Sequence, residues 1–243
     1  MSGIQTNPSS SSSSIILSYF SLICDLGMIF FPLVGYVAQL VKIKQLGTSN
    51  GFSKKLSFIL LLANIFRIYF WIGKTFSTVL LFSSIVMVIM QTILLYYCVK
   101  FPHDKVNDPK VDYFDISMFW EWPLFLDYFY FFTFFLVILT IVSNAFGYEN
   151  SIYIETLGFL SAAFEAILGI PQILENYKNK SIISLSNILV LSWLFGDSFK
   201  IVYYGINEAP YQILSSSIFQ LFTDIIIISQ IKYYSKNSSL ENS

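Results

Sequence analysis

Seven ionisable side chains lie inside long apolar runs of this 243-residue chain: Asp25, Arg67, Glu155, Glu165, Asp197, Lys200 and Asp224, with Asp127 close to the edge of another. A charge at the centre of a bilayer costs from about 3 kcal/mol upward, so such residues face a bundle interior and mark paths for protons, solutes or headgroups. Helical spacing sorts them into stripes. Asn64, Arg67 and Trp71 fall at i, i+3 and i+7, and Asp197, Lys200 and Tyr204 repeat that pattern. Glu165, Gly169 and Gln172 share one face, as do Ser217, Gln220 and Asp224. Converging stripes would make a polar lane through Asn64, Arg67, Glu165, Asp197, Lys200 and Asp224. Alternatively, acids and bases pair only to lock helices, as Asp197 and Lys200 could within one turn. Two bases cannot neutralise five acids, so some carboxyls must be protonated or wet.

Other chemistry finds little support. The single histidine, His103, stands beside Asp104 and Lys105 in a polar segment, where a solvated residue is expected. No nucleophile elbow, Cys-x-x-Cys metal spacing or phosphate-cradling glycine loop occurs, so no enzyme, metal or cofactor is expected. Cys24 and Cys98 read as small buried hydrophobes. A net charge of −1 gives no nucleic-acid footprint.

The elements that must carry these stripes are membrane helices. The chain is 55% hydrophobic and 12% charged, far from the roughly 25% charge of soluble domains. Seven windows reach the length of about 20 residues that a helical span requires: 15–41, 56–73, 77–99, 124–146, 152–174, 182–205 and 211–231. The first is too long for a cleaved signal peptide and is expected to span. With the N-terminus lumenal, eleven lysines fall on the cytosolic side, among them Lys42, Lys54, Lys100, Lys178 and Lys232, against Lys74 outside. That asymmetry puts the C-terminus in the cytosol. The sequons at Asn179 and Asn237 then face the cytosol and stay unglycosylated.

Shifting the chain by 133 residues aligns Gln39 with Gln172, Phe66 with Phe199, and Ser84 with Ser217. The polar positions follow: Asn64 with Asp197, Arg67 with Lys200, Gln91 with Asp224. Two copies of a three-helix unit result. Three is odd, so window 124–146, which has no partner in the repeat, serves as an inversion linker restoring the orientation. The expected fold is all-α and polytopic: seven transmembrane helices as two parallel three-helix bundles joined by a linker helix, 3+1+3. Its parts are a disordered Ser-rich lumenal tail (1–14), a first unit (15–99), a cytosolic linker (100–123), the linker helix (124–146), a second unit (151–234) and a cytosolic tail (235–243). "FWEWP", 119–123, is expected as an interfacial aromatic anchor.

Pro171 has no N–H and clashes with the carbonyl of residue 167, so a kink is expected there, with Gln172 placed to bond across the opened turn. The first copy keeps Gln39 but has Ala38 in place of proline. Any hinge therefore belongs to the second copy.

A helix ending in Pro-Gln, a short basic loop and a Ser-led helix, in two copies around a linker helix, resembles the PQ-loop membrane proteins, nearest the solute-carrier 66 group. The segments that carry the resemblance are "NGFSKKLSFILLLANIFRIYFWIGKTF", "FWEWPLFLDY", "ETLGFLSAAFEAILGIPQILENYKNKS" and "SWLFGDSFKIVYY". It implies a protein of trans-Golgi and endosomal membranes that scrambles phospholipid between leaflets and serves endosome-to-Golgi retrograde transport, with membrane lipids as partners. More distant members imply a proton-coupled carrier of a small, amino-acid-like solute, and a further group with the same plan are sugar carriers. A trafficking adaptor that transports nothing is a third implication.

Overall fold

A computed structural model describes residues 8–49, 52–102, 119–179 and 187–241. It is helical throughout: α1 (Pro8–Leu46), α2 (Lys54–Gly73), α3 (Thr78–Lys100), α4 (Phe125–Phe146), α5 (Ser151–Ala166), α6 (Gly169–Asn179), α7 (Asn187–Ile206) and α8 (Tyr211–Glu241). Lys105, Lys110, Lys180 and most of the linker 100–123 lie outside the described residues.

Six segments are long and apolar enough to cross a bilayer: Ser18–Leu46, Lys54–Gly73, Thr78–Lys100, Phe125–Phe146, Ser151–Leu174 and Tyr211–Tyr234. The seventh expected span, 182–205, corresponds to α7, which is not among them; its first five residues lie outside the described ones. Asn187, Asp197 and Lys200 dilute its apolar character, although its 20 residues match α2 in length. α1 departs from expectation at its start, taking the serine tract 9–14 into its first turns. Its 39 residues are about 58 Å of helix, nearly twice a hydrocarbon core.

Helices in lipid gain nothing by hiding apolar surface from one another, so close approach through small residues decides who packs on whom. α2 lies on α5, where a Cβ at Gly158 would stand 2.9 Å from the Phe70 ring and one at Gly73 would collide with Ile154. α1 lies on α7, where a Cβ at Gly35 would collide with Ser192 and Leu189. Within the flanking groups, α1 and α2 pack on α3, while α5 and α7 pack on α8. Under the 133-residue shift these contacts exchange with one another: α1–α7 becomes α5–α2, and α2–α3 becomes α7–α8.

α4 stands at the edge and turns Phe134, Tyr130 and Ile141, each over 60% exposed, away from the protein. Tyr69 and Thr140 share a 2.6 Å hydrogen bond that ties it to α2. The aromatic segment before α4 differs from the expected interfacial anchor. Trp120 is fully buried and packs tilted or edge-on against Phe58, Trp122 and Tyr128, and the Tyr128 hydroxyl donates to the carbonyls of Trp120 (3.2 Å) and Trp122 (2.9 Å). An anchor belongs at the headgroups only when its neighbours leave it there; here a bed of aromatic rings on α2 and α4 takes it in.

The fifth expected helix is two. Residues 167 and 168 form a turn between α5 and α6. The Ile167 carbonyl, which would bond residue 171, meets a proline without an N–H and accepts instead from Ile170 at 3.0 Å. The Glu165 carbonyl accepts from Leu168 (3.3 Å) rather than from the next turn, and receives a second donor from across the bundle, Gln220 Nε2 at 2.8 Å. Broken membrane helices persist only where neighbours satisfy the freed backbone, and α8 does so here.

Candidate functional site

Where α1, α2, α3, α5, α7, α8 and the α5–α6 junction converge, they line a cavity of about 50 Å³. That is room for a water or two, against roughly 300–1,000 Å³ for sites that hold a small molecule. Asn64, Arg67, Glu165, Asp197, Lys200 and Asp224 all line it. The stripes drawn from helical spacing converge on this one place, and all but Lys200 are 6% exposed or less.

The lining follows the internal repeat. Six pairs of residues 133 apart face the cavity together: Pro32 and Glu165, Tyr36 and Gly169, Leu60 and Trp193, Asn64 and Asp197, Arg67 and Lys200, Met87 and Gln220. Trp71 departs from the pattern. It turns away and donates to the Phe76 carbonyl at 3.0 Å, while its counterpart Tyr204 lines the cavity.

The charges form one network across the helices. Glu165 on α5 bonds the Arg67 guanidinium of α2 through Oε2 and the Lys200 ammonium of α7 through Oε1, the latter at 3.4 Å. Lys200 also reaches Asp197 at 2.9 Å, one turn back on its own helix. Asp224 on α8 brings a third carboxyl, in hydrogen-bonding reach of Asp197. Arg67 Nε and Asp224 Oδ2 have no hydrogen-bond partner among the described residues. Two cations thus face three acids, so the cluster is complete with one proton or one further cation. Buried charges hold together only when paired and hydrogen-bonded, and the orphaned Asp224 oxygen is where that requirement is unmet.

The other acids stand apart. Asp25 accepts from the Tyr203 hydroxyl at 2.7 Å, and Glu155 is shared by Lys74 (2.6 Å) and Gln212 at the N-terminal end of α8. Nor do the Pro-Gln positions reach the cavity. Gln172 donates to Asn176 (2.8 Å), Asn176 to Gln230 (3.1 Å) and Gln230 back to the Ile173 carbonyl (3.1 Å), a ladder binding α6 to α8. Gln39 is equally buried, yet its Oε1 has no partner among the described residues. Tyr36 and Trp193 line the cavity without having been singled out in the sequence, because an aromatic residue in an apolar run carries no signal of its own. The repeat could have found them, since Tyr36 aligns with Gly169 and Trp193 follows the Asn64 stripe one turn earlier through Leu60.

Residues 153–213, which contain Pro171 and Gln172, match the family model described as PQ loop repeat. The chain is 24% identical over 277 aligned positions to Scramblase ANY1 of Saccharomyces cerevisiae, a match covering 84% of this chain and 68% of that protein. Its fold resembles that of a eukaryotic SWEET transporter solved at 3.7 Å, with a TM-score of 0.57 and 11% identity, over 88% of this chain and 99% of that one. This is a multi-pass, all-helical membrane protein with a transporter-like fold and a PQ-loop repeat in its second half. A scramblase and a transporter move molecules rather than transform them, so the relatives are not enzymes.

Proposed function

We propose that the chain is a phospholipid scramblase whose headgroup path runs through the central charged cluster. The observation that carries the reading is the similarity to a scramblase over 84% of the chain, joined to a buried cluster that gathers Arg67, Lys200 and three carboxyls from four helices. A zwitterionic or anionic headgroup could exchange partners with such a cluster, while the acyl chains stay in the bilayer beside it. The cavity of about 50 Å³ is too small for a headgroup, so the pathway must open by separating the helices that Glu165 ties together. Cutting or protonating that tie is the natural trigger.

The same reading completes the architecture. α7 is a seventh span that escapes recognition because its charges point inward, the arrangement is 3+1+3 with α4 as inversion linker, and the C-terminus is cytosolic. Residence in trans-Golgi and endosomal membranes, endosome-to-Golgi retrograde transport and membership of the solute-carrier 66 group belong to the proposal through the PQ-loop resemblance. Pro171, with Gln172, supplies the flexible point in the second half.

A second reading has an observation of its own. A small cavity between two helix groups, in a fold like a SWEET transporter, also suits a carrier of a small solute in which Asp224 takes up the coupling proton. One experiment separates the two. Purified protein in liposomes should equilibrate fluorescent phospholipid between leaflets faster than empty vesicles, independently of a pH gradient. Uptake of a labelled amino acid driven by a pH gradient, with lipid exchange at the empty-vesicle level, would replace the first reading by the second.

A further inference from the structure

Lys44 and Lys100 lie at the ends of the spans of α1 and α3, on the face from which α2 and α4 set out, and their ammoniums come to one place. Lys44 Nζ stands 4.2 Å from the centre of the Tyr97 ring. Lys100 Nζ lies 6.0 Å from the same centre, between that ring, Tyr96 (6.0 Å) and Phe101 (5.9 Å). Both lysines are exposed. Among the described residues neither ammonium has a carboxylate partner, and Glu121 on the same face is taken by Lys54 at 2.9 Å.

A lysine in the last turn of a helix ordinarily serves that helix's own free carbonyls. Here other groups do so. At the end of α1 the Gly47 N–H donates to the Ile43 carbonyl (3.0 Å), with Gly47 at a φ of 65°. At the end of α3 the Ser49 N–H donates to the Phe101 carbonyl (2.8 Å), Ser49 Oγ to that of Cys98 (3.4 Å) and Thr48 Oγ1 to that of Pro102 (3.4 Å). The same bonds hold the two helix ends that carry the lysines together. Nor does the fold require charge at this place. In the second copy Tyr177, Gln230 and Tyr233 stand where the first has Lys44, Tyr97 and Lys100, and Gln230 there accepts from Asn176 to bind α6 to α8.

The residues beneath the lysines say what an anion here is attached to. Val41 and Val37 precede Lys44 by one and two turns, Tyr96 and Ile93 precede Lys100 in the same way, and all four are 41–46% exposed. Those are bilayer-facing stripes, and tyrosines beside lysines at their upper end mark headgroup depth. We propose that Lys44, Lys100 and Tyr97 bind the headgroup of an anionic phospholipid, its negative groups meeting the two ammoniums and its acyl chains lying on the stripes below. A choline headgroup brings its own cation to its phosphate and competes with the lysines; a headgroup with net negative charge does not. In the topology proposed above the site faces the cytosolic leaflet, where anionic lipids collect. The inference stands apart from the scrambling reading, because neither lysine lines the central cavity and a lipid can reside here whether or not the chain moves lipids.

The test is native mass spectrometry of the full chain released from nanodiscs of equal phosphatidylserine and phosphatidylcholine. The unaltered protein should retain the serine lipid several-fold over the choline lipid. Lys44→Gln combined with Lys100→Gln should abolish the preference. Lys55→Gln combined with Lys232→Gln removes as much charge from exposed positions at the start of α2 and the matching end of α8, and should leave it intact. Equal retention of the two lipids by the unaltered chain, a preference that survives loss of Lys44 and Lys100, or an equal fall in the Lys55 and Lys232 variant overturns the proposal. So does release of the serine lipid by inorganic phosphate, which would give the site to a free anion.

Discussion

The two halves of the cavity wall are built on matching helices and carry different chemistry. On the first-copy side stand Pro32, Tyr36, Leu60 and Met87 with Asn64, Arg67 and Ser83, one charge in all; on the second, beside Leu168, Trp193 and two glycines, stand the four charges of Glu165, Asp197, Lys200 and Asp224. Gln91 and Asp224 sharpen the contrast, being equivalent in the repeat. Gln91 is fully buried away from the cavity, accepts from Ser57 at 3.0 Å and leans on the Met87 sulfur, whereas Asp224 faces the cavity with an oxygen to spare. The first half uses its polar residue to hold α2 to α3, and the second turns its counterpart to the cavity. The matching helix pairs α2–α3 and α7–α8 share their packing and differ in where they place this polar residue.

The largest effect is expected at the pair Glu165 and Pro32. Glu165→Gln leaves Arg67 and Lys200 without their shared acid, and losing one partner of a buried ion pair costs roughly 3–5 kcal/mol. Pro32→Ala removes a helix-interior proline and should be neutral or stabilising. Thermal unfolding in detergent compares them, and similar losses at both positions would break the contrast between the halves.

Next comes the pair just described. Asp224→Asn leaves two acids facing two bases and should preserve stability while suppressing lipid exchange in liposomes. Gln91→Leu orphans Ser57 and should cost about 1–3 kcal/mol, with exchange by the surviving folded protein unchanged. Exchange that survives Asp224→Asn would remove that residue from the path.

The crossings of the two halves should resist bulk. Gly35→Leu at the α1–α7 contact should cost about 1–3 kcal/mol by overpacking, while Gly205→Leu, where an added Cβ meets nothing within 4 Å, should cost nothing measurable in the same unfolding experiment.

The smallest and subtlest difference lies at the two glutamines. Gln172→Leu breaks the ladder to Asn176 and should lose about 1 kcal/mol, whereas Gln39→Leu removes an acceptor already without a partner and should be neutral or stabilising. A loss at Gln39 as large as at Gln172 would show that the first copy has a ladder of its own. Pro171→Ala, restoring the missing N–H at the α5–α6 turn, should slow exchange several-fold without lowering stability, which stopped-flow measurement on liposomes checks.

Much of this was readable in the chain before any coordinates. Hydropathy is a local property, so window 77–99 matches α3 and 124–146 matches α4 to within a residue. Periodicity placed Asn64 with Arg67, and Asp197 with Lys200, on shared faces, because 3.6 residues per turn is a property of the helix and not of its neighbours. The break ahead of Pro171 followed from a missing N–H. Other features depend on what arrives from elsewhere. Trp120 reads as an anchor until Phe58 and Tyr128 surround it, and nothing near Glu165 in the chain says that Arg67, 98 residues before it, and Lys200, 35 after, will close on its two oxygens.

By itself, then, the sequence determined the solvent, the helices, the doubling of the unit and the surplus of acid over base, since composition, period and charge are sums over near neighbours in the chain. Tertiary structure alone decided that the surplus is gathered at one small cavity, that Glu165 serves both cations, and that Gln212 is buried against Glu155. Those outcomes rest on distances of a few ångströms between helices remote in the chain. Close approach at Gly35, Gly73 and Gly158 sets those distances, and no local pattern encodes them.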